Sequence, residues 1–586
     1  MKPFWKVVFG GCLGTLIALF LASLIFFGLI GSAISSIGKE SQPAVPKNAI
    51  LKIDLSQPVA ERGKESFSFN PLAGSAVMNN SVSILDAVRA LEAAAADPQV
   101  RFVYLKADDI NMGMALAEEL RAALLRFRES GKPVIAYSQN FSAGNYYMAS
   151  VADKVILNAY GDVMITGLGS QMIYCKDLID HLGIDIQLIR HGKYKSAGEP
   201  YIKSEMSTEN REQYESMLST IWNVMAEAVA ASRDFTVEEF DGWIDGLALT
   251  GPEDAKAKGL VDELWYDDQV LGYFCSLCEV SSPKDLKYVS LKKYVAAKVR
   301  PNMRAKDKVA VLYADGEIVM DDGDGSIGNN FAREIAAVRE DESVKAVVFR
   351  VNSPGGSVQA SAAIAREIEL LKASKPVIAS YGGYAASGGY WISCDADRIF
   401  SDRSTLTGSI GVFGLIPSFG RALKKNLHLN VYEVDTHRHG SLGNGMSPLD
   451  REEEAAMQKR IDATYEDFVN RVAAGRGLTV EAVDEIAQGR VWAGGDAIRI
   501  GLVDAFGGLS DAVRYAADAA GLQNYRVAEY PSIVPIYNRM LSSMTEEAAV
   551  RTSDPAAAMQ RAAGWLLDID GPEVAARMPY IDINLR

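Results

Sequence analysis

Along most of the chain, short runs of apolar or alternating residues are separated by amphipathic stretches, and the order of these segments occurs twice. "AILKIDLSQPVAERG" from Ala49 and "VAVLYADGEIVMDDG" from Val309 both read as alternating strands that end in turns. Helical stretches follow, "ILDAVRALEAAAAD" and "FAREIAAVREDES", and then short apolar strands, "VRFVYLKAD" at Val100 and "VKAVVFRVN" at Val344. After another amphipathic helix, "KPVIAY" and "KPVIAS" are further buried strands, and "GLVDEL" at Gly259 and "GLVDAF" at Gly501 close the two copies. Strands alternating with helices predict an α/β fold with largely parallel pairing. This pattern divides the chain into repeats over 49–266 and 309–526, a connector over 267–308 without a counterpart in the other half, and a tail over 527–586.

The pattern before the first repeat is different. No charged residue occurs from Val7 to Gly38, and this run exceeds the roughly 18 to 20 apolar residues that span a bilayer. A transmembrane helix is predicted within residues 1–38, retained as an anchor, since a signal peptide has a shorter apolar region. Lys2 and Lys6 precede it, so the N-terminus stays in the cytoplasm and the rest crosses in a single pass. In a bacterium that places the remainder in the periplasm. Residues 39–48, "KESQPAVPKN", have the composition of a linker.

Composition narrows the function classes. At 586 residues the chain is too long for one core, and a net charge of −15 without clustered Lys and Arg argues against nucleic acid as a partner. Five cysteines do not form a disulfide framework; Cys275 and Cys278 make a lone C-x-x-C whose readings are free thiols, a local disulfide or a metal pair.

Candidate chemistry lies where the two copies differ. Aligning Lys132-Pro133 with Lys375-Pro376 puts Ser387 of "YAASGGYW" opposite Gly144, so only the second copy carries a hydroxyl at that turn. "RVNSPGGSV" in the second copy matches "KADDINMGM" in the first, so the Gly355-Gly356 pair is also confined to the half that has the serine. Two glycines after a strand can turn N–H groups toward a developing oxyanion. Conversely, "HGKYKSAGEP" in the first copy holds Lys193 and Lys195, whereas "HRHGSLGNGMSP" in the second holds no lysine. A nucleophile in one half and a base in the other point to a serine/lysine hydrolase. A Ser/His/Asp triad stays open, because the chain has five histidines, and spacing alone does not choose between Lys193 and Lys195.

Taken together, "RVNSPGGS", "AASGGYWIS", "TGSIGVFG" and "GKYKSAGEP" resemble the signal peptide peptidase A (protease IV) family in its long, duplicated form. The resemblance implies two tandem ClpP/crotonase-like α/β domains behind the anchor. It also implies a serine protease whose nucleophile falls on Ser387 and whose general base falls on Lys195. By the same resemblance the oxyanion donors are the N–H groups of Gly356 and Gly388, and Ser409 is the hydroxyl that holds the lysine amine. The implied substrates are cleaved signal peptides at the bacterial inner membrane, the implied assembly is a homotetramer, and neither cofactor nor metal is expected. Competing readings are an acyl-CoA hydratase or isomerase of the same fold and a non-enzymatic membrane scaffold.

Overall fold

The computed structural model describes residues 44–63, 65–70, 75–320, 326–532 and 574–578. The predicted anchor lies outside the described residues, as does nearly all of the tail beyond residue 532. No helix among the described residues is long and apolar enough to cross a membrane.

The first unit runs β1 (Ala49–Asp54), α1 (Ile84–Ala96), β2 (Val100–Lys106), α2 (Met114–Arg128), β3 (Val134–Ser138), α3 (Ala143–Ala149), β4 (Lys154–Leu157), β5 (Asp185–His191), α4 (Thr208–Ser232), β6 (Glu263–Leu264), α5 (Asp267–Cys278) and β7 (Lys287–Ser290). Its sheet has the order β6-β4-β3-β2-β1-β7 and is parallel throughout. β3 is buried at every position, as a strand covered by helices on both faces must be. Ser83 caps α1 by accepting from the Asp86 N–H.

The second unit repeats the plan with β8 (Lys308–Asp315), α6 (Asn329–Glu340), β9 (Val344–Ser353), β10 (Gly355–Ser357), α7 (Val358–Lys372), β11 (Val377–Ala386), α8 (Gly388–Trp391), β12 (Arg398–Ser401), β13 (Leu406–Gly408), β14 (Val412–Ser418), α9 (Arg451–Arg476), β15 (Val491–Ala493), α10 (Leu509–Ala519), β16 (Arg526–Tyr530) and β17 (Val574–Arg577). Its main sheet runs β15-β13-β11-β9-β8-β16, with β12 beside β11. Only the β13·β15 pairing is antiparallel.

Of the segment 267–308, expected as a connector without a counterpart, residues 267–290 belong to the first unit. β7 hydrogen-bonds to the edge strand β1 as β16 does to β8, and α5 precedes it as α10 precedes β16. The two sequences have diverged, but both edges need a covering strand. Cys275 and Cys278 lie on α5 as free, buried thiols, packed with Phe274 and Val270.

Among the contacts that join the units, two bear on the site. β5 of the first pairs antiparallel with β14 of the second along its whole length, from Asp185 opposite Ser418 to His191 opposite Val412. Elsewhere between the units, the buried Arg350 guanidinium on β9 donates to Glu61 Oε2 and Glu119 Oε1, each at 2.7 Å, and to Ser380 Oγ and the Tyr381 carbonyl at 2.9 Å. Glu119 Oε2 in turn accepts from the Leu509 N–H at 2.8 Å. Both carboxylates come from the first unit and the cation from the second. Removing the cation strands two buried carboxylates, so Arg350→Met is expected to lose about 3–5 kcal/mol of stability. Urea unfolding followed by circular dichroism checks this; a loss below about 1 kcal/mol would show that the network is solvated.

Candidate active site

Ser387 follows directly on β11 and precedes the short helix α8. Its backbone lies at φ 56°, ψ −117°, a region that non-glycine residues seldom occupy and that costs about 1–3 kcal/mol. The sharp turn is held by the Ser387 N–H donating to the Gly408 carbonyl at 2.8 Å and by the Trp391 N–H donating to the Ser387 carbonyl at 2.8 Å. The side chain is thereby presented at the end of the sheet while remaining fully buried.

Lys195 reaches it from the other unit. β5 ends at His191, and the turn that follows is fixed by the Tyr194 N–H donating to the Gln488 carbonyl at 2.9 Å. Gly489 and Gly411 give the lysine room: a Cβ on Gly489 would stand 2.6 Å from Lys195 Cβ, and one on Gly411 would stand 3.2 Å from its Cδ. Lys195 Nζ lies 2.7 Å from Ser387 Oγ, donates to the Ser409 carbonyl at 2.9 Å, and lies 3.1 Å from Ser409 Oγ. The amine is buried without a carboxylate partner. Desolvation alone holds its pKa well below the ordinary lysine value of 10.5. Ser409, like Ser387, has a positive φ, 49°, directly before the segment that leads into β14.

The glycine pair lies opposite. Gly355 at φ 99° and Gly356 at φ 154° form β10, and each approaches backbone too closely for a side chain. A Cβ on Gly355 would come within 2.6 Å of the Gly388 nitrogen and 3.0 Å of Ser387 Cβ. The glycine strand and the residue after the serine thus flank one small space beside Ser387 Oγ. Donors arranged in this way can stabilise an oxyanion.

All five residues singled out in the sequence, Ser387, Lys195, Gly356, Gly388 and Ser409, are brought together. The alternatives separate from them. Lys193 is exposed, with its amine over the Tyr194 ring. No histidine among the described residues hydrogen-bonds to Ser387: His191 stacks on Tyr465 and bonds to Asp462 Oδ1, and the other four are exposed. Sequence reasoning passed over Gly489 and Gly411, whose role is to clear space for a chain distant in sequence. It also gave no sign of the Arg350 network.

The family model described as Peptidase family S49 matches twice, over residues 126–280 and 369–523, and a Clp protease model matches residues 300–406. "Protease 4" of Salmonella typhi is 34% identical over 557 residues, covering 89% of this chain and 86% of that protein. "Protease 4" of Haemophilus influenzae is 33% identical over 502 residues, covering 82% and 80%. A "Putative signal peptide peptidase SppA" of Enterococcus faecium is 35% identical over 237 residues, 39% of this chain and 68% of that one. With two matched copies of the domain and near full-length similarity to protease 4, the chain belongs to peptidase family S49 and is a serine protease of the protease IV type.

Proposed function

We propose that the protein is a membrane-anchored endopeptidase with a Ser387/Lys195 dyad, acting on cleaved signal peptides. The observation that carries the dyad is the 2.7 Å approach of a buried, carboxylate-free lysine amine to Ser387 Oγ. A lysine acts as a base only when neutral, and burial favours that state. Neutral Lys195 takes the Ser387 proton as Oγ attacks the peptide carbonyl, and the N–H groups of Gly356 and Gly388 receive the oxyanion. Lys195 passes the proton to the leaving amine, and water, deprotonated by the same lysine, then releases the acyl group. Ser409 orients the amine from behind.

The substrate reading draws on the name of the Enterococcus relative and on the apolar run from Val7 to Gly38. An enzyme anchored at the bacterial inner membrane, with this part in the periplasm, would meet hydrophobic peptides where they are left. The homotetramer is favoured by unpaired segments. Residues 429–434, the second unit's counterpart of β5, form no strand, and Tyr432 and Val434 are 88% and 96% exposed. The first unit's counterpart of β14 forms none either, and its Ile173 is 81% exposed. Joining these segments between copies would build a ring. Light scattering in detergent is expected to give four times the chain mass; a monomer would overturn the assembly.

Ser387→Ala and Lys195→Ala are each expected to lower kcat/KM on an apolar fluorogenic peptide by roughly 10⁴- to 10⁶-fold. Lys193→Ala should stay near wild type. The reverse pattern for the two lysines would move the base.

The depressed lysine pKa also fixes a pH dependence. The rate should rise with pH through the folded-state value, with one proton lost. Between that value and 10.5 the unfolded chain binds one more proton than the folded one, so the stability contributed by this site rises with pH. Melting temperatures across this range should climb more steeply for wild type than for Lys195→Met; parallel curves would show that Lys195 is charged when folded.

A further inference from the structure

The loop that carries the lysine is held by one side chain to which the mechanism above gives no part. Gln213, in the second turn of α4, is fully buried. Its Nε2 protons are shared among Ser196 Oγ at 2.8 Å, Asn210 Oδ1 at 2.9 Å and the Tyr194 carbonyl at 3.3 Å, and Tyr194 and Ser196 are the two chain neighbours of Lys195. Its Oε1 accepts the Val491 N–H at 3.2 Å, across the junction between the units. Val491 stands opposite Gly408 in the β13·β15 pair, and the Gly408 carbonyl receives the Ser387 N–H at 2.8 Å. One carboxamide therefore connects the residues that flank the base to the strand beside the one that anchors the nucleophile.

The second copy lacks this group. Ser207 and Asp450 cap the equivalent helices α4 and α9, "FTVEEF" and "LTVEAV" follow them in the same register, and Gln213 falls opposite Ala456. The amide is thus confined to the half that carries Lys195, as the glycine pair is confined to the half that carries Ser387. A neutral group also suits the surroundings. The charged and titratable groups about the loop engage one another: Arg190 and Lys203 pair with Glu199, Arg490 and the Tyr194 hydroxyl with Glu212, His191 with Asp462, and Asp484 accepts from Tyr465 and Gln488, while Lys193 lies over the Tyr194 ring. Among the described residues no carboxylate partners the Lys195 amine, whose pKa desolvation lowers. A glutamine satisfies the polar atoms on either side of that lysine and offers it no charge to pair with.

We propose that Gln213 is a positioning residue for the reaction, holding the Lys195 loop at a fixed spacing from the Ser387 turn with a group that carries no charge. This rests on the Ser387/Lys195 reading and goes beyond it. The pairing of β5 with β14 ends at His191, before Lys195 is reached, so it does not by itself fix where the amine lies. The Gln213 bonds span that interval by acting on both neighbours of Lys195, and a displacement of about 1 Å at a reacting group costs on the order of 10²-fold in rate. A carboxylate at the same place would accept from the Val491 N–H as the amide does. Ionised, it would have no proton for the Tyr194 carbonyl, and its charge would favour the ammonium form of Lys195.

The test follows the full chain in detergent on an apolar fluorogenic peptide across a pH series, with active sites counted by fluorophosphonate titration. Gln213→Met, which fills the same space without polar atoms, is expected to lower kcat per titrated site by roughly 10²-fold with KM within about twofold of wild type. Gln213→Glu keeps the shape and the Val491 bond, and the midpoint of its pH–rate curve is expected to rise by about one unit; should Gln213→Met fail to fold, this midpoint decides. A role in stability alone would reduce the number of titrated sites and leave kcat per site and the midpoint where they are. Wild-type kcat per site in Gln213→Met, or a wild-type midpoint in Gln213→Glu, overturns the inference and leaves the dyad standing. Wild-type turnover by Lys195→Ala overturns the dyad itself, and the role of Gln213 with it.

Discussion

The pairing of β5 with β14 is the constraint on which the site depends. Neither unit by itself brings a lysine near the serine. Seven residues of β5 are zipped against β14, and at the His191 end the two strands stop side by side. Lys195 follows β5 by one turn, and Ser409 precedes β14 by a similar distance, so register fixes how they meet. A slip of one residue would turn every side chain of β5 to the other face. The Arg350 cluster works toward the same end from a different element. It ties the strand that leads into Gly355 and Gly356 to α2 of the first unit, so the glycine strand and the lysine are referred to one another through two independent joints.

The site also concentrates unfavourable conformations and charges. Ser387 and Ser409 both have positive φ, and an amine is buried with only hydroxyls and a carbonyl around it. Each is a cost in the folded state. The surrounding backbone carries it: Ser387 is pinned to Gly408, Ser409 donates its N–H to the Arg490 carbonyl at 2.7 Å, and the Gly489 N–H donates to the Ile410 carbonyl at 2.8 Å. Under the proposed dyad, the return on that arrangement is an amine whose proton burial disfavours.

Much of the fold was legible because a parallel sheet leaves apolar runs separated by helices, and because the two copies check one another. Ser387 and the glycine pair stood out for the same reason, since the other copy lacks them. Choosing Lys195 over Lys193 required the family resemblance; burial of one and exposure of the other is a tertiary fact. β7 was missed because a four-residue edge strand, "KYVS", with one buried position carries no period to read. β17 was missed because its placement rests on backbone pairing, which any small residues at Ala575 and Ala576 would allow.

The complementary losses follow from geometry. The helix before β5 ends with Gly183 in the left-handed region, and its counterpart in the second unit ends with His428 in the same conformation. Counting forward from these equivalent caps sets Lys195 opposite Gly440, just as Ser387 stands opposite Gly144. A duplicated chain has two possible junctions between units, and only the one made by β5 and β14 closes within the chain. The reverse junction would join residues 429–434 to the segment after Gly167, and there both chemical positions are glycine. With one such junction formed among the described residues, one serine and one lysine suffice for one site. A glycine at both emptied positions keeps the turns and removes the hydroxyl and the amine, as expected if those segments still have to fold against a neighbour.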